Sequence, residues 1–277
     1  MAAPVGIRWT IGDVSARGFE ALGYSIRGAW RIFGASARYA VCVNTVPLEV
    51  ARARVGPLPA PVEWIDATGL VPRWLRERFD PSMAEGTGWK FAPPQVFPDR
   101  YELSLDNDCI LWDLPEAIAR WLWEDDRSCV IAEDVRRCLG RFEALCGPEP
   151  RNSGIRGLPP GFPLERALKS VLAQIREPLT SELDEQGMQV ALVERSGKVN
   201  VVRTSEVTIC SPIWPHQPYL GRCGAHFVGL NARSLPFRYY GRPATEWVEE
   251  NWRRLRPELD RILGDGAEPP KAGALGG

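Results

Sequence analysis

An alternation of short apolar segments and helical patterns near the N-terminus constrains the fold of this sequence more than any other feature. Residues 7–11, 39–43 and 62–66 are segments of strand length, of which 39–43 is a short apolar run, and each is followed by a segment with helical character. The first predicted helix runs from about Ala16 to Phe33, and Gly34 is a usual helix stop. Its apolar residues recur at three- and four-residue spacing, at Phe19, Leu22, Ile26, Trp30 and Phe33. Strands that alternate with helices form a mostly parallel central sheet flanked by helices. The sequence therefore predicts an α/β fold.

The length and the apolar content fit one domain. With 277 residues, of which 44% are hydrophobic, the chain can bury a substantial core. We expect a single domain over residues 1–263. The segment 264–277 is rich in Gly, Pro and Ala and predicts a disordered tail. Further helices are predicted over 44–55, 72–79, 115–123, 133–146, 164–175, 181–193 and 245–263, and further strands over 101–105, 129–132, 199–202 and 207–210.

The charge and the cysteines limit the class of partner and the compartment. A net charge of −1 and a pI near 6.2 argue against a nucleic-acid-binding surface. No apolar run reaches membrane-spanning length, so we expect no transmembrane segment. The seven cysteines form no Cys-x-x-Cys pair, which favours reduced, buried thiols and a cytoplasmic protein. The eleven scattered tryptophans fit a core or a carbohydrate-binding groove equally well.

Two aspartates separated by one residue follow a predicted strand. Asp106 and Asp108 come directly after Tyr101–Leu105, where neighbouring carboxylates repel each other. A divalent cation such as Mg²⁺ or Mn²⁺ removes that repulsion. On an extended backbone, alternation would place both acids on one side and Asn107 on the other. The alternative is a polar turn between two strands, for which Asp-Asn-Asp is ordinary chemistry.

Asp13 occupies an equivalent place at the end of the first predicted strand. In sheets of this kind, ligands bind beyond the carboxyl ends of the strands. Asp13 and the pair Asp106 and Asp108 therefore predict a ligand site at this edge of the sheet. The alternative for Asp13 is an acid that accepts backbone N–H groups at a helix N-terminus.

Seven short motifs follow one another along the chain in a recognisable order. They are Ile11-Gly12-Asp13, Leu22-Gly23-Tyr24-Ser25-Ile26, Trp89-Lys90-Phe91, Leu105-Asp106-Asn107-Asp108, Asn152-Ser153-Gly154-Ile155, Asp184-Glu185-Gln186 and His226-Phe227-Val228-Gly229. In this order they resemble the nucleotide-sugar glycosyltransferases of the GT-A fold, and within them family 8, the glycogenin and galactosyltransferase-like group. The resemblance covers roughly residues 7–231.

The resemblance implies a function as well as a fold. It implies a metal-dependent hexosyltransferase that moves a sugar from a nucleotide diphosphate sugar, usually a UDP-sugar, to an acceptor. The acceptor would be a carbohydrate, a lipid-linked molecule or a small molecule. Residues 7–113 would form the nucleotide-binding part and residues 114–263 the acceptor side. The implied ligands of Mn²⁺ or Mg²⁺ are Asp106, Asp108 and His226, and a structural histidine is the alternative for His226.

The same resemblance implies contacts for the phosphate and for the catalytic end of the site. Lys90 or Arg233 would pair with phosphate, and a solvated surface charge is the alternative for each. Asp184 and Gln186 would be catalytic residues that hydrogen-bond the donor sugar, with helix capping as the alternative.

Three more residues have implied contacts with the nucleotide sugar. Asp13 would lie near the base or the ribose. Asn152 and Ser153 would bind sugar hydroxyls, and their alternative is a turn.

Two departures from the family pattern bear on activity. The lysine that follows the His-Phe-x-Gly segment in the family is absent, and the nearby polar residues are Asn231 and Arg233. Glu185 stands between Asp184 and Gln186 and changes the spacing of the Asp-Gln pair.

Two other functions remain open at this point. A non-catalytic protein could keep the fold as a binding scaffold, and the absent lysine favours it. A sugar-1-phosphate nucleotidyltransferase also has metal-binding acids, but it needs a glycine-rich, arginine-containing loop near the N-terminus, which residues 12–18 match poorly.

Overall fold

In the computed structural model of the chain, residues 4–80, 88–124 and 127–264 are described. The tail predicted from Gly264 onward lies outside these residues, apart from Gly264 itself. The elements in chain order are β1 (Val5–Ile11), α1 (Ala16–Phe33), β2 (Ala37–Val43), α2 (Leu48–Val55), β3 (Val62–Asp66), α3 (Arg73–Arg76), β4 (Tyr101–Leu105), β5 (Cys109–Leu111), α4 (Glu116–Glu124), β6 (Cys129–Glu133), β7 (Arg151–Leu158), α5 (Leu164–Leu172), α6 (Glu182–Glu194), β8 (Val199–Val202), β9 (Val207–Ile209), β10 (Gly224–His226), β11 (Arg238–Tyr239), β12 (Arg242–Pro243) and α7 (Ala244–Leu263).

The central sheet has seven strands in the order β3-β2-β1-β4-β7-β6-β8. The strands β1 to β4 run parallel to one another, and β6 and β8 are parallel to each other. Only β7 is antiparallel to both of its neighbours in this sheet. The predicted α/β fold with a mostly parallel sheet is therefore confirmed. Strands from residues 7–113 and from residues 114–263 share this one sheet.

Helix α1 has the bounds that its apolar spacing predicts. Ser15 caps its start by accepting a hydrogen bond from the backbone N–H of Gly18, and Gly34 ends it with a φ of 53°. Phe19, Leu22 and Ile26 are at most 1% exposed in the core under the sheet. Burial of each such side chain contributes about 1.5–3 kcal/mol to folding. This packing holds α1 against β5, the strand that follows the carboxyl end of β4.

The segment 151–158 differs most from its prediction. The turn given as the alternative for Asn152 and Ser153 is wrong, because these residues belong to β7, a buried strand inside the sheet. Polar residues and two glycines give this strand no apolar alternation that the sequence could reveal. Its place is set by pairing with β4 and β6, which are distant in sequence. The antiparallel direction brings Asn152-Ser153-Gly154 to the edge where the parallel strands end.

The helix predicted over 133–146 is also wrong. The structure has a bend followed by a 3₁₀ turn at Gly140–Leu145. The Asp134 carboxylate accepts hydrogen bonds from the backbone N–H groups of Val135 and Arg136, which holds the chain in a turn. Gly140 has a φ of 52°, in the left-handed region that interrupts a helix.

A second, smaller sheet in the order β5-β10-β9 lies beyond the end of β4. Strand β10 is antiparallel to β5 and parallel to β9. Helix α7 covers this sheet, where Trp252 packs edge-on against Phe227 with 5.0 Å between ring centroids. None of the helices in residues 4–80, 88–124 and 127–264 combines the length and the apolar character that crossing a bilayer requires.

Candidate metal centre

The two predicted metal-binding acids lie in the turn that joins the two sheets. Strand β4 ends at Leu105, and the backbone N–H of Cys109 donates to the Asp106 carbonyl at 2.9 Å. The polar-turn alternative is therefore the correct description of the backbone here. The alternation argument is wrong for these residues, because the extended strand ends before Asp106. Asn107 is buried and donates to the carbonyl of Gly18 at 3.0 Å, which ties the turn to α1.

His226 joins the two acids from β10. In the small sheet His226 pairs with Cys109, the residue after Asp108. Its Nε2 lies 3.4 Å from Asp108 Oδ1 and 3.6 Å from Asp106 Oδ2. One possible ligand atom from each of the three residues lies within 4.8 Å of the others. The structure thus brings together the three residues that the sequence pattern selects.

The three side chains form a donor set that fits a divalent cation. Asp108 Oδ1 is buried and accepts no hydrogen bond from any residue that the structure describes. A buried carboxylate oxygen without a donor is costly, and a cation would satisfy it. Two carboxylate oxygens and one imidazole nitrogen suit Mn²⁺, and Mg²⁺ with water completing its shell.

The protonation of His226 responds to two opposed effects. Burial of the ring lowers the pKa of His226. The nearby negative charges of Asp108 and Asp106 outweigh burial and raise that pKa above its usual value. An imidazole must lose its proton before Nε2 can bind a metal. Metal and proton therefore compete for His226.

We expect Mn²⁺ affinity to rise with pH and to level off above the raised pKa of His226. Below that pKa, affinity should fall by about tenfold per pH unit, because one proton must leave. Without metal, the contribution of His226 to folding stability falls as the pH rises, which is opposite to the trend of the Mn²⁺ affinity. The charged ring contributes stability at low pH, and this contribution is lost as the pH rises through the raised pKa.

Calorimetry with MnCl₂ over a pH series, in buffers of different ionisation enthalpy, measures both the affinity and the released proton. A His226→Gln variant serves as the control and should show a flatter profile. The same slope in wild type and in this variant would contradict the role of His226.

Asn231 orients Asp108, the more buried of the two predicted metal-binding aspartates. Its Nδ2 donates to Asp108 Oδ2 at 3.0 Å and to Asn107 Oδ1 at 3.1 Å. Its own carbonyl accepts from the backbone N–H of Ser15 at 2.9 Å, which anchors it on α1. Sequence reasoning named Asn231 only as a neighbour of the absent lysine. In the structure it holds the Asp108 carboxylate, a role common for residues around metal ligands.

Lys90 lies at the base of a pocket of about 290 Å³ that contains the three predicted metal ligands. Its ammonium lies 2.8 Å from Asp106 Oδ1, 3.3 Å from Glu185 Oε2 and 3.4 Å from Ser153 Oγ. Burial lowers the pKa of Lys90, but the charges of Asp106 and Glu185 outweigh burial and raise that pKa above its usual value. The lysine is therefore protonated. The Lys90 side chain is 19% exposed, so it does not fit the alternative of a solvated surface charge.

The start of α6 corrects the assignment of Asp184. Asp184 is absent from the described lining of the pocket, whereas the next two residues, Glu185 and Gln186, belong to it. The Asp184 carboxylate accepts hydrogen bonds from the backbone N–H groups of Thr180 and Arg141, each at 2.8 Å. The capping alternative therefore describes Asp184. The acid next to Gln186 in the pocket is Glu185.

We expect Asp184→Ala to lower stability and to leave ligand binding unchanged. The substitution strips two partly buried backbone N–H groups of their charged acceptor, which costs about 1–3 kcal/mol of unfolding free energy. Thermal unfolding measures this loss, and Mn²⁺ titration measures the site. A folded Asp184→Ala protein with no Mn²⁺ affinity would contradict this assignment.

Strand β7 contributes one wall of the pocket. The Asn152 side chain is fully used inside the protein, since Oδ1 accepts from the Gly154 N–H at 2.7 Å and Nδ2 donates to Asp134 at 2.9 Å. Ser153 directs its Oγ toward Lys90. Gly154 leaves room for the histidine ring, because a Cβ added there would lie 2.4 Å from His226 Cε1. The Asn-Ser-Gly motif thus supplies a close backbone approach to His226.

Asp13 and Arg233 lie outside the described lining of the pocket. Asp13 lies between two lining residues, Gly12 and Val14, and Arg233 comes two residues after the lining residue Asn231. Arg233 donates to the exposed Asp13 carboxylate, and Arg54 donates to it at 3.2 Å. The hydrogen bond from Arg233 is the main cause that lowers the pKa of Asp13. These residues form an ion-pair cluster next to the pocket.

Solved structures with a similar fold are glycosyltransferases. The galactosyltransferase LgtC in complex with donor and acceptor sugar analogs has a TM-score of 0.56 and 13% identity, covering 93% of this chain and 96% of that chain. The chain has the GT-A fold. Mouse xyloside xylosyltransferase 1, in its apo form, has a TM-score of 0.54 and 14% identity, covering 83% of this chain and 99% of that chain.

A third GT-A protein, the bifunctional glycosyltransferase WbbM in its apo form, has a TM-score of 0.56 and 12% identity. The match covers 95% of this chain and 52% of WbbM. At such identities the likeness concerns the fold. No protein-family model and no curated protein matches the sequence. The GT-A fold predicted from the order of motifs is thus confirmed, while membership of family 8 stays a prediction.

Proposed function

We propose that this protein is a metal-dependent glycosyltransferase that moves a sugar from a nucleotide diphosphate sugar to an acceptor. The convergence of Asp106, Asp108 and His226 at the carboxyl edge of a GT-A sheet carries this proposal. Breaking the bond between a sugar and a nucleoside diphosphate leaves negative charge on the departing phosphates. Mn²⁺ or Mg²⁺ held by these residues would stabilise that charge as a Lewis acid.

The charge of the pocket supports a strict need for the cation. Four described acids line it, Asp106, Asp108, Glu182 and Glu185, whereas Lys90 is the one lysine or arginine among the described lining residues. A nucleotide diphosphate is itself an anion, and like charges in a partly buried pocket repel strongly. Ligand binding therefore requires a cation at the three metal ligands, more so because the family lysine is absent.

The other lining residues have roles that follow from their contacts. Gln186 donates to the carbonyl of Cys138 at 3.0 Å, so its Oε1 is held near β7 at the pocket. Gln186 and Ser153 are proposed to contact the sugar of the donor. Arg233, with Asp13, is proposed to contact the nucleotide beside the pocket. A UDP donor and a cytoplasmic location stay predictions from the sequence.

Calorimetry with UDP and UDP-sugars, with and without Mn²⁺, tests the function. We expect UDP to bind only when Mn²⁺ is present. In a separate assay, we expect the protein to release free sugar slowly from a UDP-sugar even without acceptor. Binding of no nucleoside diphosphate under either condition would overturn the proposal.

A non-catalytic scaffold is the second candidate. The ammonium of Lys90 is already shared by two carboxylates and a hydroxyl, and the family lysine is absent, which leaves few cations for the departing phosphates. The two functions separate in one experiment. A scaffold would bind UDP with Mn²⁺ but release no sugar from any UDP-sugar.

A further inference from the structure

A chain of buried polar groups leads from the interior of the sheet to the pocket. Arg156 on β7 donates through Nη1 to Gln189 Oε1 at 2.7 Å. Gln189, one turn further along α6 than Glu185, donates to Glu185 Oε1. The other oxygen of Glu185 lies 3.3 Å from the ammonium of Lys90, which in turn contacts Asp106.

The direction of every hydrogen bond in this chain is fixed by Arg156. A guanidinium can only donate, so the group of Gln189 that faces it must be the amide oxygen. The amide nitrogen must then face Glu185, which has to accept. A side chain at position 189 needs both an acceptor and a donor at this length, and glutamine supplies both. The network therefore assigns the orientation of the Gln189 amide.

This chain is costly to bury, and packing alone does not explain it. Arg156, Gln189 and Glu185 are each at most 2% exposed. Arg156 Nε and Nη2 have no hydrogen-bond partner among the described residues. The guanidinium lies over the ring of Phe91, with 5.5 Å to its centroid, which satisfies it only in part. Apolar side chains of similar volume would fill this space at lower cost.

Resting on the proposed function, we propose that Arg156 and Gln189 are positioning residues that act on the metal site through Glu185 and Lys90. They hold the Glu185 carboxylate against the Lys90 ammonium, so that Lys90 is shared between Glu185 and Asp106. Without this anchor, Lys90 pairs with Asp106 alone and competes with the cation for its carboxylate. Neither Arg156 nor Gln189 belongs to the described lining of the pocket.

The chemical reactivity of Lys90 tests this proposal without metal or substrate. The sequence has four lysines, Lys90, Lys169, Lys198 and Lys271, so peptide mass spectrometry can follow each one. With trace formaldehyde and borohydride, Lys90 should be methylated slowly in the wild type. In Gln189→Met we expect its rate, relative to Lys169 in the same molecule, to rise by about threefold to tenfold, the factor that one lost hydrogen bond represents.

A double-mutant cycle separates positioning from general loosening. Glu185→Gln should raise the Lys90 rate by itself, and adding Gln189→Met to it should change the rate no further, because both act through one contact. Asn200→Leu is the matched control. Asn200 lies on β8, outside the described lining of the pocket, and its buried side-chain amide donates to Ser128 Oγ at 2.7 Å. The Lys90 rate of this variant should equal that of the wild type.

An unchanged Lys90 rate in folded Gln189→Met, or additive effects in the cycle, would overturn the proposal. If Gln189→Met does not fold, Gln189→Asn is measured in the same way, since it keeps the amide but is too short to reach both partners.

Titration with MnCl₂ alone forms the second arm, and Gln189→Met should bind about tenfold more weakly than the wild type. Equal Mn²⁺ affinities would overturn the link to the metal site. Absence of Mn²⁺ binding in the wild type, with the Lys90 result intact, would instead count against the proposed function.

Discussion

Asp108→Asn is expected to remove Mn²⁺-dependent binding of UDP. The substitution keeps the shape of the side chain and its contact with Asn231, but replaces the buried, donor-free Oδ1 by a neutral group. Loss of a partner around a metal ligand typically costs 10- to 100-fold in affinity, and loss of the ligand charge itself should cost at least about 100-fold. Calorimetry with Mn²⁺ and UDP measures the difference.

The matched control for this prediction is Asp113→Asn. Asp113 follows the same turn and β5, but its exposed carboxylate accepts, among the described residues, only from the N–H of Leu114 at 2.8 Å. This variant should bind Mn²⁺ and UDP as the wild type does. Full Mn²⁺-dependent UDP binding in Asp108→Asn would show that the cation, if any, binds elsewhere.

Gly154→Ala is expected to disable the same site from the side of β7. The added methyl group would lie 2.4 Å from His226 Cε1, 2.6 Å from Nδ1 and 2.8 Å from Asn152 Oδ1. The ring must therefore move, and Nε2 leaves the position 3.4 Å from Asp108 Oδ1. We expect Mn²⁺ affinity to fall by about tenfold or more, and unfolding free energy to fall by about 1–3 kcal/mol from overpacking.

Gly23→Ala provides the control for a glycine substitution. Its added methyl group would meet only Val55, at 3.5 and 3.8 Å, which is ordinary contact in the middle of α1. Alanine favours a helix over glycine by about 1 kcal/mol, so this variant should be at least as stable as the wild type. Wild-type Mn²⁺ affinity in Gly154→Ala would contradict the position of His226 described here.

The sequence predicts best the parts of this fold that local rules determine. Helix α1 has its predicted bounds because its apolar stripe and the Gly34 stop agree, and in the structure Ser15 caps its start. Strand β7 escaped prediction because its polar residues are buried only through pairing with distant strands. Periodicity cannot detect such a strand.

In the candidate site, too, some residues can be predicted from local sequence, whereas others depend on contacts between distant parts of the chain. Two acids after a predicted strand indicate Asp106 and Asp108, the family resemblance adds His226, and the structure places the three together. The sequence could not decide between Asp184 and Glu185, because adjacent residues of a helix point about 100° apart and only the docking of α6 selects the one that faces the pocket. The only hint in the sequence that Glu185 lines the pocket is its place directly before Gln186. The buried partners Arg156 and Gln189 have no motif at all.

His226 reaches Asp108 only when β10 pairs with β5, and these strands come from distant parts of the chain. The hydrogen bond from Asn231 to Asp108 spans 123 residues. Closing so long a loop costs conformational entropy. If these contacts form after the folding transition state, a cation bound there slows unfolding and leaves the refolding rate unchanged. Metal would prolong the lifetime of each folded molecule without helping a new one to form.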